Sequence, residues 1–158
     1  MITILGPTAS GKTSLAAALA AQIDTLDASI WGGSTKGAEI ISADSRQVYR
    51  GMDIGTGKDL EDYTVEGKLI PYHLIDICDA GTKYNLFQYQ QDFYDVYQDI
   101  THRGVLPILC GGTGLYIESI LKGYHLSPVP QNPALRSSLE GKTLEELTDM
   151  LVDLKAKN

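Results

Sequence analysis

The sequence predicts an α/β fold in which a mainly parallel sheet carries helices on both faces. Two observations support this fold. Strand-like and helix-like segments alternate along the first 123 residues, which is the pattern of a parallel sheet with crossover helices. Two glycine-rich stretches, near residues 6 and 111, each lie between a strand-like and a helix-like segment. Such stretches follow the carboxyl ends of the strands, which is the edge of the sheet where ligands of these folds bind.

The alternation places four strands in this core. We predict strands at residues 2–5, 39–43, 69–78 and 105–110, and short helices at residues 13–23 and 115–122. In the first helix, Leu15, Leu19 and Ile23 are spaced by four, so we expect them to face the core together. The stretch 24–38, around Trp31, is polar and rich in glycine, and we predict a loop there.

A longer helix is predicted between Asn85 and Gly104. Asn85 is a suitable N-cap, and Gly104 after Arg103 is a suitable stop. Its apolar stripe at helical spacing consists of Leu86, Tyr89, Phe93, Val96, Tyr97 and Ile100. Pro71 restricts the 69–78 strand to an edge of the sheet or to a strand start.

The last 35 residues differ from this core. We divide the chain into a P-loop-bearing α/β core, residues 1–123, and a tail, residues 124–158. The proline-rich stretch 125–133 is predicted to be a linker. After it, Thr143-x-x-Glu146 forms a capping box for a helix with one apolar stripe, made of Leu144, Leu147, Leu151 and Leu154. We interpret this as the start of a helical insertion whose remainder lies outside these 158 residues.

Composition limits the classes of function. The formal net charge of -7 argues against a surface built to bind a phosphate backbone without sequence preference, although a local basic groove remains compatible with it. Cys78 and Cys110 are far apart and have no second pair for a zinc site, which favours a reduced, cytoplasmic protein. The sequence shows neither a signal peptide nor a membrane span, and we expect a monomer.

The first glycine-rich stretch, "GPTASGKT", fits the P-loop pattern G-x-x-x-x-G-K-[ST] in its required strand–helix context. Its residues are Gly6, Pro7, Thr8, Ala9, Ser10, Gly11, Lys12 and Thr13. The loop amides and the helix N-terminus favour a bound anion. Lys12 would lie beside the terminal phosphates, and the Thr13 hydroxyl would join the shell of a Mg²⁺ ion. The motif predicts binding of a di- or triphosphate, ATP included, and does not identify the bond that breaks.

Asp44 ends the second strand, beside the predicted phosphate site. It either caps the following turn or acts in the site, by holding Mg²⁺ through water or by accepting a proton. Thr113, in the second glycine cluster, either caps the next helix or faces a ligand, while Gly111 and Gly112 permit close backbone approach. His73 and Asp76 alternate with apolar residues on a predicted strand, so we assign neither a catalytic role.

Five stretches carry a resemblance to a known family. In order along the chain they are "GPTASGKT", "EIISADSRQVYRGMDIGTGK", "PYHLIDI", "YNLFQY" and "GVLPILCGGTGLYIESILKG". Together they resemble the tRNA dimethylallyltransferase (isopentenyl pyrophosphate transferase) family from Met1 to about Gly123, and more loosely over "SPVPQNPALRSSLE". The Asp-Ser-x-Gln-Val-Tyr and Gly-Gly-Thr-Gly-Leu-Tyr blocks are more specific than the P-loop.

The resemblance implies a prenyl transfer, in which N6 of an adenosine beside the tRNA anticodon attacks C1 of dimethylallyl diphosphate. It implies that the P-loop binds the diphosphate with Mg²⁺ and that Asp44 contacts N6 as general base. It also implies that Ser45, Arg46 and Gln47 contact the extruded nucleotide of the tRNA anticodon stem-loop, and that Thr113 lies at the tRNA and reaction-centre side. The catalytic residues implied are therefore Asp44, Lys12, Thr13 and Thr113.

Two departures from the family leave other functions open. The family's later arginine-bearing segment does not occur in these residues, so we expect this 158-residue form to transfer poorly by itself. The excursion around Trp31 is also longer than in the family. The alternatives are a small P-loop kinase, which usually carries an arginine-rich lid, and a non-catalytic module that binds a diphosphate or nucleotide. Only four arginines occur in the chain, none of them clustered.

Overall fold

The computed structural model of the protein describes residues 1–25 and 35–157. Most of the predicted loop around Trp31 therefore lies outside the described residues. The chain forms two compact units, Met1–Leu126 and Ser127–Asn158. Within the described residues, no helix is long and apolar enough to cross a membrane.

The described elements follow the predicted alternation with a few additions. The strands are β1 (Ile2–Leu5), β2 (Ala38–Ala43), β3 (Thr64–Val65), β4 (Lys68–Leu69), β5 (Tyr72–His73) and β6 (Leu106–Gly111). The helices are α1 (Lys12–Thr25), α2 (Leu86–His102), α3 (Gly114–Leu121), α4 (Pro133–Leu139) and α5 (Leu144–Ala156), and a 3₁₀ helix spans Leu60–Tyr63. The main sheet has the order β1-β6-β2-β5, and its neighbouring strands are all parallel.

The predicted third strand, residues 69–78, is wrong in extent. Only Tyr72 and His73 pair with β2, while β4 belongs to a separate antiparallel hairpin with β3. The strand stops because Leu74 and Asp76 have φ values of 62° and 56°, in the left-handed region that interrupts an extended ladder. The edge position expected from Pro71 is confirmed, since β5 is the last strand of the sheet.

Helices cover both faces of the sheet, as predicted. Along β2, Ile40 packs in the cluster that contains α1, and its neighbour Ile41 packs in the cluster that contains α2 and α3. Ile108 and Leu109 of β6 divide in the same way. Successive side chains of a strand point to opposite faces, so the middle strands are buried from both sides.

The core-facing side of α1 differs from the prediction. Leu15 is 60% exposed and Leu19 only packs at the margin of the core. Ile23 is buried as predicted, and the other buried side chains of α1 are alanines: Ala16, Ala17 and Ala20. Small side chains let a helix axis lie close to a sheet, so α1, which begins inside the P-loop, packs tightly on the strands that precede the site.

The long helix α2 agrees with its prediction. Asn85 and Gln88 form a reciprocal capping box, and Tyr89, Phe93 and Ile100 are fully buried. At the other end, Arg103 is the C-cap. The following glycine has φ of 73°, a conformation that glycine adopts without steric cost.

The second unit contains one helix that the sequence analysis missed. The capping box of Thr143 and Glu146 opens α5 as predicted. The predicted linker, however, ends at Asn132, which caps α4 with Pro133 in the first turn. Asparagine followed by proline is a typical helix start, so the sequence did contain this signal. No residue of α4 or α5 is buried.

A charged cluster joins the start of β2 to the end of α2. The Glu39 carboxylate, largely buried, accepts two hydrogen bonds from Arg103, at 2.5 and 2.7 Å. His73 Nε2 lies 2.8 Å from Glu39 Oε2, and Arg103 also bonds Asp99. Hydrogen bonds from Arg103 hold the pKa of Glu39 below its ordinary value of 4.5. His73 is thus a satisfied, partly buried histidine, as predicted.

We expect Glu39→Gln to lower the free energy of unfolding by about 2 kcal/mol at pH 7, since hydrogen bonds to a charged group are lost. Because the folded-state pKa of Glu39 is lowered, its contribution is full above the ordinary pKa and is lost as pH falls through the folded value. Urea melts from pH 7 to pH 3 measure both effects, and the variant and wild type should converge at the acid end. Glu118→Gln, in an exposed pair with Lys122, is the control. A pH-independent difference would contradict this account.

Candidate functional site

A cleft of about 210 Å³ lies at the carboxyl edge of the sheet, beside the P-loop. The P-loop follows β1, and Asp44 follows β2. The lining residues come from the P-loop, from the end of β2 and from a later loop: Thr8, Ala9, Gly11, Lys12, Thr13, Asp44, Gln47, Thr56, Gly57, Asp59 and Asp62. Ligands of open parallel sheets bind at this edge.

The P-loop has the compact curl expected of its motif. Ala9 and Gly11 adopt φ values of 60° and 77°, and α1 begins at Lys12. The Lys12 ammonium donates to the Pro7 carbonyl at 3.2 Å, across the loop. A Cβ at Gly6 would lie 2.9 Å from Ser10 Oγ, so a larger residue at position 6 would force the Ser10 side chain to move. Five of the eight predicted loop residues line the cleft; Gly6, Pro7 and Ser10 are not among them.

Asp44 lies where both roles that the sequence left open are possible, the cap of the turn and a residue of the site. Its Oδ1 accepts the Arg46 N–H at 2.9 Å, so it does cap the turn. It also lines the cleft together with Lys12 and Thr13 and is only 7% exposed. A carboxylate has acceptor capacity beyond one bond, so capping the turn is compatible with a second role.

Arg46 lies across the mouth of the P-loop. Its Nε is 3.7 Å from Asp44 Oδ1, and its Nη2 donates to Thr8 Oγ1 at 3.4 Å. The side chain is half exposed. It therefore places a positive charge between the phosphate loop and the Asp44 turn, where it can contact an incoming polyanion.

Thr113 occupies the N-cap position of α3 but makes no side-chain cap bond. Its hydroxyl oxygen instead accepts the Ser45 N–H at 2.9 Å, and the hydroxyl donates to Ser45 Oγ at 3.3 Å. The Thr113 N–H donates to the Ala43 carbonyl. Thr113 and Ser45 are thus brought together from 68 residues apart, and Thr113 helps to fix the turn that carries Asp44.

The two glycines before Thr113 permit the close approach that the sequence predicted. A Cβ on Gly111 would overlap the backbone of Ala43. A Cβ on Gly112 would lie 3.2 Å from the Gly6 carbonyl and 3.8 Å from Lys12 Nζ. The turn after β6 is therefore wedged between the P-loop and the end of β2.

Gln47 is buried and connects two parts of the site. Its Oε1 accepts from Ser42 Oγ at 3.0 Å, and its Nε2 donates to the Gly57 carbonyl at 2.8 Å. Gly57 belongs to a loop that the sequence analysis did not connect with the cleft, although Thr56, Gly57, Asp59 and Asp62 all line it. The glycine-rich stretch "GMDIGTGK" was the feature of the sequence that could have indicated a loop at the cleft.

Cys110 lies beneath the P-loop. Its thiol donates weakly to the Lys12 carbonyl at 3.5 Å. Burial raises the pKa of Cys110 to about 11, against a lowering effect of Lys12. The thiol is therefore protonated at neutral pH and acts as a small core group under the first turn of α1.

Comparison with known proteins identifies the family. The family model described as IPP transferase matches residues 47–158. The chain belongs to the IPP transferase family. A tRNA dimethylallyltransferase 1 of Parabacteroides distasonis is 66% identical over 155 residues, which cover 98% of this chain and 46% of that relative. A tRNA dimethylallyltransferase 2 of Bacteroides fragilis is 62% identical over the same length. The chain spans about half the length of the curated relatives it matches.

Solved structures support the fold. The crystal structure of the full-length tRNA isopentenylpyrophosphate transferase from Bacillus halodurans matches 99% of this chain and 48% of that one, with a TM-score of 0.66 and 33% identity. A eukaryotic dimethylallyltransferase, captured crystallographically while acting on tRNA, matches 97% of this chain and 35% of that one, with a TM-score of 0.73 and 25% identity. The predicted α/β fold and the predicted family are both confirmed.

We expect Thr113→Val to lower the free energy of unfolding by about 1–2 kcal/mol, because the partly buried Ser45 N–H loses its acceptor. Thr113→Ser keeps the hydroxyl and should lose less than half of that. Urea denaturation of the two variants beside wild type measures the difference. If Thr113→Val costs nothing while Thr113→Ser is destabilising, packing of the methyl group, and not the hydroxyl, explains the position.

Proposed function

We propose that this chain carries the diphosphate and base side of a tRNA dimethylallyltransferase site. The reaction transfers a dimethylallyl group from dimethylallyl diphosphate to N6 of an adenosine beside the anticodon. The observation that carries this proposal is that the P-loop residues Lys12 and Thr13 and the carboxylate of Asp44 line one cleft. The relatives named as tRNA dimethylallyltransferases support it.

The acceptor side needs a base because the exocyclic amine of adenine is a poor nucleophile, its lone pair being delocalised into the ring. Asp44 accepts an N6 proton as the bond from N6 to C1 forms. At the same time the bond from C1 to the diphosphate oxygen breaks, and the electron pair leaves with pyrophosphate. Thr113 and Ser45 hold the Asp44 turn in place through the hydroxyl contacts described above.

The leaving-group side needs positive charge and hydrogen-bond donors where negative charge grows. Lys12 supplies an ammonium, and the loop amides at the N-terminus of α1 supply donors and the positive end of the helix dipole. These groups follow β1, whereas Asp44 follows β2, and β6 lies between the two strands. The base and the phosphate donors thus come from different strands, an arrangement suited to a reaction axis that runs between them.

The residues present fit a Mg²⁺ ion. The Thr13 hydroxyl and the carboxylates of Asp44, Asp59 and Asp62 line the same cleft, and Mg²⁺ prefers oxygen ligands, often with retained water. Bound there, the ion would neutralise charge on the diphosphate. Thr13 is the residue that would hold it, with water and the diphosphate completing its coordination.

A small P-loop kinase would use the same Lys12 and Thr13 to bind phosphates. A kinase would also transfer the terminal phosphate of ATP to an acceptor. Incubation with γ-labelled ATP and a nucleoside mixture separates the two functions: phosphoryl transfer would favour the kinase, and we expect none.

We expect Lys12→Ala to weaken pyrophosphate binding in the presence of Mg²⁺ by about tenfold or more, since a charge-assisted contact worth about 1.5–3 kcal/mol is lost. Isothermal calorimetry on the 158-residue chain measures the affinity. Lys122→Ala is the matched control, because Lys122 is exposed and pairs only with Glu118 among the described contacts. Equal affinity in the Lys12 variant and wild type would exclude the P-loop as the diphosphate site.

We expect Asp44→Asn to lower the rate of prenyl transfer by about 10²–10⁴-fold, with pyrophosphate affinity and Tm nearly unchanged. The amide oxygen can still accept the Arg46 N–H, but the side chain cannot take a proton. Single-turnover transfer to an anticodon stem-loop is measured with this chain joined to the part of the Parabacteroides relative that it does not cover.

The control for that experiment is Asp79→Asn in the same fusion, because Asp79 is 82% exposed and pairs with Arg50 away from the cleft. It should transfer at the wild-type rate. An Asp44→Asn protein that melts early but transfers at the normal rate would leave Asp44 with its turn-capping role alone.

A further inference from the structure

Lys58 has its ammonium at a junction of three segments. The side chain is 1% exposed. It donates to the Tyr49 carbonyl at 2.7 Å, to Asp53 Oδ1 at 3.1 Å and to Asp76 Oδ1 at 2.5 Å. An ammonium has three donors, so all of them are used. We call these four residues the Lys58 cluster.

The Lys58 amine stays protonated in this position. Burial lowers the pKa of the amine, but the hydrogen bonds and charges of Asp76 and Asp53 outweigh burial and leave it above its ordinary value. Asp76 itself sits at a φ of 56°, a conformation unusual for a non-glycine residue. The ion pair therefore contacts the segment after β5 at the point where the strand is interrupted.

The loop that ends at Lys58 has few apolar anchors. Met52 is 42% exposed and Ile54 is 99% exposed, so burial of these side chains does not hold the loop. Three of its residues need positive φ, namely Gly51, Gly55 and Gly57. The loop is held by polar contacts instead, including one from Thr56 Oγ1 to the Met52 carbonyl at 2.6 Å.

This loop forms the wall of the cleft that meets the P-loop. Thr56 and Gly57 line the cleft, and both directly precede Lys58. A Cβ on Gly57 would lie 3.9 Å from the Thr8 methyl group, so the two walls approach each other there. The buried Gln47 side chain donates a hydrogen bond to the Gly57 carbonyl. The distance between the walls thus depends on where the loop is fixed.

We propose that Lys58 is a positioning residue for the diphosphate site, which sets the wall formed by Thr56 and Gly57 against the P-loop. The inference rests on the proposed function, because it takes the cleft as the place where the diphosphate binds. Without the ammonium, Asp53 and Asp76 would repel each other and the Tyr49 carbonyl would lose its donor. The loop would then move away from the P-loop, and the cleft would hold its ligand less well.

Lys58→Met tests this, because methionine keeps much of the side-chain length and removes the charge. The measurements are the Tm and the pyrophosphate affinity with Mg²⁺ by calorimetry, taken well below the Tm of each variant. We expect a lower Tm and an affinity weakened by about tenfold or more. Wild-type affinity in a folded Lys58→Met protein would overturn the proposal.

Arg103→Met is the matched control, since it removes the cation of the Glu39 cluster, which lies at the start of β2 rather than at its end. It should lower the Tm and leave pyrophosphate affinity unchanged. An equal loss of affinity in both variants would mean that general destabilisation explains the effect. If the wild type itself fails to bind pyrophosphate, the proposed function fails; if it binds and Lys58→Met binds equally well, only this inference fails.

Asp53→Asn decides the question if Lys58→Met does not fold. The Asp53 side chain is 68% exposed, so its loss is mild for the fold. We expect an affinity loss of about two- to fivefold, the scale of one exposed ion pair, with Tm almost unchanged. Unaltered affinity in this variant would overturn the proposal.

Discussion

The site depends on the placement of β6 between β1 and β2. Parallel pairing on both sides brings the ends of three strands into one row, with Leu5 opposite Gly111 and Gly111 opposite Ala43. Gly111 has no side chain, and a Cβ would collide with the Ala43 backbone. The row of strand ends then presents the P-loop, the glycine turn and the Asp44 turn side by side. The contacts between the loops of the site depend on this register of the strands.

Polar side chains then fix the loops that leave these strands. Thr113 holds Ser45, and Gln47 joins Ser42 to the carbonyl of Gly57. These bonds tie the loops to one another and, through Ser42 of β2, to the sheet. Several residues that line the cleft or lie next to it therefore hold its loops in place.

The sequence predicted what depends on local chemistry and missed what depends on tertiary packing. The P-loop, the N-cap at Asn85, the capping box at Thr143 and the alternating core are set by neighbouring residues, and they agree with the structure. The face of α1 was wrong because periodicity alone does not distinguish a leucine stripe from an alanine stripe one position along. The 69–78 strand was too long because left-handed residues such as Leu74 leave no clear mark in an apolar run. The position of the 51–58 loop depends on contacts with segments that are distant in the sequence, and no local pattern predicts such contacts.

The alanine face of α1 has a consequence for tolerance to change. Ala16, Ala17 and Ala20 are 0–1% exposed, so α1 packs on the core through methyl groups. A larger side chain there would push the helix axis outward, and the first turn of that helix carries Lys12 and Thr13. A displacement of about 1 Å in positioned groups can cost about 10²-fold in rate. The buried side of α1 therefore determines where Lys12 and Thr13 lie in the cleft.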